Sequence, residues 1–111
     1  KMALQTQDIV TTLIFDEIDS GISGSVAEQV GNTIENLSHS HQILCITHLP
    51  QIAGKGDNHY SVKKNRINHR SIVEIKKLSG SERVVEVASL ISGIEITDAS
   101  RRQAKTLIEH G

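Results

Sequence analysis

Apolar residues cluster along this chain in runs of two kinds, continuous and periodic. Ile9 to Phe15 (Ile-Val-Thr-Thr-Leu-Ile-Phe) is a short β-branched run stopped by Asp16-Glu17-Ile18-Asp19, the pattern of a central strand that delivers carboxylates at its C-terminal end. After the turn Ser20-Gly21-Ile22-Ser23-Gly24, apolar residues recur at Val26, Val30, Ile34 and Leu37 on one helical face, and Ser25 with Glu28 has the spacing of a capping box. Ile43-Leu44-Cys45-Ile46-Thr47 is a second continuous run. The order strand, helix, strand predicts a right-handed parallel unit. His48-Leu49-Pro50 follows at the second strand's C-terminal end, and Pro50 is placed to open a short helix through Ala53 that Gly54 and Gly56 end.

The pattern then changes. Tyr60 to Lys64 and Ser71 to Leu78 are strand-like and separated by the polar stretch Asn65 to Arg70, which predicts an antiparallel hairpin with a longer loop, its Lys-bearing strands lying at an edge. Val84, Val87, Ala88 and Ile91 repeat at helical spacing, with Gly93 where a left-handed cap falls. Thr97 is placed to cap a final helix carrying Ala104, Leu107 and Ile108. Lys1-Met2-Ala3-Leu4 reads as a helix already under way, with no capping residue before it, so the chain reads as a fragment. No internal repeat or low-complexity tract interrupts it.

Length bounds this picture: 111 residues make one domain, too few for a two-domain enzyme. Fifteen Ile and eight Val against two aromatics, Phe15 and Tyr60, bias the composition toward strands buried on both faces of an α/β fold. Twelve Lys and Arg against thirteen Asp and Glu leave a formal net charge of -1, so the chain as a whole does not grip nucleic acid by charge, and any DNA contact is local. The single cysteine, Cys45, lies in an apolar run and reads as a small buried hydrophobe in a reducing compartment. No run reaches the ~20 apolar residues of a membrane span, and no leader pattern is present. The expectation is a cytoplasmic protein with no membrane partner.

The candidate chemistry gathers at the two strand ends. A first carboxylate, Asp16, at a sheet edge suits a hydrated Mg²⁺, and a second, Glu17, suits the positioning or deprotonation of a water; phosphoryl transfer needs those two roles kept apart. His48, at the same predicted edge, suits a phosphate oxygen or the water. Ser20 to Gly24 allow close backbone approach to an anion before a helix N-terminus. No phosphate-binding loop of the Gly-x4-Gly-Lys-Ser/Thr kind exists: Gly54-Lys55 has Leu49 at the required first glycine and Gly56 at the hydroxyl position. Ser23 misses the nucleophile elbow by one position, and His39 and His41 lack further zinc ligands at suitable spacing. Lys63, Lys64, Arg66, His69 and Arg70 form a basic hairpin tip whose ordinary role is to block edge pairing, with phosphate contact as the alternative.

Leu13-Ile14-Phe15-Asp16-Glu17-Ile18-Asp19-Ser20-Gly21-Ile22-Ser23-Gly24, followed by Ile43 to Ala53, closely resembles the RecN-like branch of the SMC-like ABC ATPases, which repair DNA double-strand breaks. The pattern continues in Leu78-Ser79, Ala88 to Gly93 and Ala104 to Leu107. The resemblance implies an α/β fold, the C-terminal lobe of a P-loop NTPase head, over residues 1–111, with parallel core strands, an edge hairpin and flanking helices. It implies ATP and Mg²⁺ as cofactors, Asp16 on the metal through water, Glu17 as catalytic base and His48 as the γ-phosphate switch. Asp19, Ser20, Gly21, Ser23 and Gly24 would form the D-loop that reaches across a head-to-head dimer. The family's Walker A loop, its Ser-Gly-Gly signature and its coiled coil are absent from these residues, so the chain alone is expected to be inactive.

The partners implied are the N-terminal lobe of the same head, a second head in a homodimer, DNA at break ends, and a recombinase filament, in a cytoplasmic, nucleoid-associated setting. Two other readings stay open on the residues alone. One is a Mg²⁺-dependent nuclease or topoisomerase-like domain built on Asp16, Glu17 and Asp19. The other is a non-enzymatic protein-interaction module.

Overall fold

The computed structural model describes residues 11–16 and 23–109. The expected opening helix, and Glu17, Asp19, Ser20 and Gly21 of the expected site, lie outside the described residues. Strand β1 (Thr11–Asp16) pairs in parallel with β2 (His41–Ile46), in register from Thr11 opposite His41 to Asp16 opposite Ile46. Helix α1 (Gly24–Leu37) connects them, as the order of apolar runs required. Its cap lies two residues before the expected one: Ser23, not Ser25, is extended and accepts the Val26 N–H through Oγ at 3.4 Å. Ser25 falls inside the first helical turn, where its backbone cannot cap.

The strands correct one expectation. Leu13 and Phe15 turn toward α1, where Phe15 shares a groove with Val26, Val30, Ile34 and Leu37, but Ile14, Leu44 and Ile46 on the other face are 66%, 51% and 54% exposed. Continuous apolar runs predict burial on both faces; here burial alternates, because nothing among the described residues covers the second face. Cys45, on the α1 side, is only partly buried.

Helix α2 (Pro50–Ala53) starts with proline at its first position, where the missing N–H costs no hydrogen bond. Strands β3 (Tyr60–Ile67) and β4 (Arg70–Lys77) form a hairpin that is its own two-stranded sheet, not an edge of the β1–β2 sheet. Its loop is also shorter than expected. The ladder runs up to Ile67 opposite Arg70, and the turn is Asn68-His69 alone, with φ of 52° and 65°, the two positive angles of a tight primed turn.

The core lies between the last two helices. Helix α3 (Gly80–Ser92) buries Val87 and Ala88 against Ala104 of α4 (Asp98–Glu109), and Val84, Ile91, Ile96, Leu107 and Ile108 pack around them. Ser79 and Glu82 close a reciprocal capping box on α3. Gly93 ends α3 with φ 79° and ψ −150°, a positive φ as expected but outside the left-handed helical well, in a region essentially reserved for glycine. Thr97 Oγ1 accepts the Ser100 N–H at 3.0 Å, so it caps α4 as its position predicts.

Candidate functional site

Parallel pairing in register puts Asp16 beside Ile46 at the C-terminal ends of adjacent strands, and His48 follows two residues later. Asp16 and His48 are both exposed at this edge. The turn that carries His48 is braced on either side of it: the Leu49 N–H donates to Thr47 Oγ1 at 3.0 Å, and Pro50 fixes the backbone at the start of α2.

Gln51, in the first turn of α2, brings the N-terminus of α1 to the same place. Its Nε2 lies 3.2 Å from where a Cβ on Gly24 would stand. Its Oε1 is buried with no hydrogen-bond partner. One face of α1 admits α2 closely through a second glycine: a Cβ at Gly31 would meet the Lys55 side chain at 3.0 Å and the Gln51 carbonyl at 3.3 Å. The first turn of α1 therefore lies against α2, which starts two residues after His48, and the amide N–H groups of a helix's first turn favour an anion.

The far end of α2 is held by Arg83 of α3. Its Nη2 donates to the carbonyls of Ala53 at 3.2 Å, Gly54 at 3.0 Å and Gly56 at 2.6 Å, so one guanidinium satisfies the acceptors that a helix end leaves open. Burial pulls the Arg83 pKa down while Asp57 opposes it. His59, half-buried next to this cluster, has its pKa lowered first by burial and then by Arg83, against an opposing effect of Glu86.

Of the expected site residues, Asp16 ends β1 opposite Ile46, His48 follows the end of β2 by two residues, and Ser23 and Gly24 open α1, with Gly24 against Gln51. Ser23 serves α1 as its cap, a helix-end role and not a nucleophile's. His41 bonds through Nδ1 to the Leu37 carbonyl at 3.1 Å and to Ser40 Oγ at 3.0 Å, a local tie between α1 and β2. Among the described residues no group of three or more His, Cys, Asp or Glu is arranged to hold a metal. A Mg²⁺ at Asp16 fits the exposed carboxylate, provided that phosphate and water oxygens complete its shell. Arg83 carries no motif and Gln51, within the Ile43 to Ala53 run, was given no role of its own, so sequence reasoning missed both; the one signal for Arg83 is its place directly after the capping Glu82.

Comparison with known proteins places the chain in a family. The DNA repair protein RecN of Bacillus subtilis is 41% identical over 109 residues, 98% of this chain and 19% of that protein. RecN of Rickettsia bellii is 43% identical over 110 residues, 99% of this chain and 20% of its own length. The chain is a segment of the RecN family. It corresponds to a C-terminal part of its relatives and spans about a fifth of their length. No family model matches it. The fold is similar to that of a chain from work on ATP-driven dimerization and DNA-stimulated activation of SMC ATPases, with a TM-score of 0.63 at 18% identity, over 82% of this chain and 54% of that one. That likeness is one of fold.

Proposed function

We propose that this segment supplies the strand-end part of a composite ATP site in the head of a DNA repair protein. The observation that carries the reading is the β1–β2 register, in which Asp16 stands opposite Ile46, two residues before His48. In this reading Asp16 holds Mg²⁺ through water, and Glu17, the next residue, takes the proton of the attacking water. His48 donates to the γ-phosphate, and the D-loop residues Asp19, Ser20, Gly21, Ser23 and Gly24 face the nucleotide of a second head. Mg²⁺ supplies charge neutralisation of the phosphates when bound.

The N-terminal lobe of the same head would bring the phosphate-binding loop, so residues 1–111 form a C-terminal lobe that turns over no ATP alone. Head closure on ATP and opening after hydrolysis would couple the site to DNA at break ends, and a recombinase filament is a further partner in the same reading. The setting would be cytoplasmic and nucleoid-associated. Among the described residues no helix is long and apolar enough to cross a membrane.

The deciding experiment is ATP turnover by the full-length protein and its Glu17→Gln variant. The expected result is loss of turnover by a factor of about 10² or more in the variant, with ATP retained and heads dimerised. Normal turnover in Glu17→Gln overturns the role given to Glu17, and metal-dependent nicking of plasmid without ATP would install the nuclease reading instead.

A further inference from the structure

The near-neutral charge of the chain conceals a strong local asymmetry. Residues 60–77 carry six Lys or Arg against one Glu, a formal +5, while the remaining residues carry six against twelve, a formal −6. The fold concentrates the positive part on the β3–β4 ribbon, whose residues from Val62 to Lys77 are all exposed.

The register divides this charge between two faces. Residues directly opposite in an antiparallel ladder share a face, so Ser61 with Lys76 and Lys63 with Glu74 lie on one side. That side turns toward α3, where Lys76 pairs with Glu82 and Lys63 stands opposite Glu74; Arg70, opposite Ile67 beside the turn, is its one cation with no carboxylate opposite or paired. The other side holds Tyr60 with Lys77, Val62 with Ile75, Lys64 with Val73, and Arg66 with Ser71. It has no acidic residue, and among the described residues Lys64, Arg66 and Lys77 have no acidic partner. Tyr60, Val62, Val73 and Ile75 between them are each more than half exposed. Cations that merely block edge pairing do not explain this face, because they accompany an open apolar surface that itself invites association.

We infer that this face of the ribbon binds the phosphate backbone of duplex DNA through Lys64, Arg66 and Lys77, with the apolar residues lying against sugar and base edges. A two-stranded ribbon is of a size that the major groove admits, and unpaired cations spaced along it release counterions on binding. The choice of DNA over other polyanions rests on the reading of the chain as part of a DNA repair protein; the unmatched cationic face does not.

The test uses the full-length protein with Lys64→Glu, Arg66→Glu and Lys77→Glu together, against a control of equal charge change on α4, Arg101→Glu, Arg102→Glu and Lys105→Glu. Binding of a fluorescent duplex is followed by anisotropy across a salt series. The ribbon variant is expected to lose tenfold or more in affinity and to lower the salt slope by about 0.9 for each phosphate contact removed, up to about 3 in all, while the control changes little. Basal ATP turnover without DNA should be unchanged in the ribbon variant. Equal losses in ribbon and control variants, or none in the ribbon variant, overturn the inference, as does retained DNA binding with loss of an acidic protein partner. The triple change to Gln gives the same reading should the Glu variant fail to fold. Absence of ATP turnover in the parent would sink the ATP-site reading and leave the DNA result standing.

Discussion

Gly54 is buried at the end of α2 with an ordinary backbone φ of −67°, so its requirement for glycine is one of space. A Cβ there would stand 3.0 Å from Leu107 Cβ and 3.1 Å from the Leu107 backbone, which cannot swing aside. Gly54→Ala should therefore cost about 1–3 kcal/mol by overpacking, read from thermal or urea unfolding. Gly31→Ala should cost less, since most of what it meets is the flexible Lys55 stem. Gly80→Ala, with nothing within 4 Å, should be neutral or stabilising by up to about 1 kcal/mol. The need for glycine at positions 31 and 54 was not legible in the sequence. It arises from side chains 24 and 53 positions away.

Among the elements, α2 is short and depends on what holds it. Arg83→Ala leaves the carbonyls of Ala53, Gly54 and Gly56 without their donor, an expected loss of about 1.5–3 kcal/mol. Arg83→Lys should recover part of it, as an ammonium lacks the planar fork. Amide exchange in residues 50–56 should rise in both variants. The pKa of His59 lies below 6.5 because the fold favours its neutral form, so the unfolded state binds more protons. The stabilisation from neutral His59 is complete above pH 6.5 and falls as acid drives the pH down through its lowered folded value. The melting temperature should drop on acidification from about pH 7.5, and His59→Gln should flatten that slope. Glu82 has its pKa lowered from 4.5 to about 2 by the Lys76 hydrogen bond first and then by those from Ser79. Its support for the α3 cap is present above pH 4.5 and is lost as the pH falls toward 2, so helicity lost in that window should be less pH-dependent in Glu82→Gln.

For the whole molecule, the open face of Ile14, Leu44 and Ile46 should make the 111-residue chain self-associate when produced alone, and Ile14→Thr with Leu44→Thr should shift sedimentation toward monomer. Element types came from the sequence because their causes are local. Helical spacing from Val84 to Ile91 predicted α3, Pro50 the start of α2, and the two continuous runs the parallel pair, whereas the packing of α3 on α4 as the core came from the structure. Asp16 and His48 were legible as candidates for the same reason: each directly follows an apolar run. The tertiary structure alone decided which strand faces are covered, that the ribbon stands as a separate sheet with a two-residue turn, that Arg83 holds the far end of α2 and that Gln51 meets the start of α1. Burial and long-range hydrogen bonds depend on partners that no local pattern encodes. The same cause hid the charge: a net of -1 is a sum over the chain, and only the ladder register sorts Glu74 onto one face of the ribbon and leaves Lys64, Arg66 and Lys77 unmatched on the other.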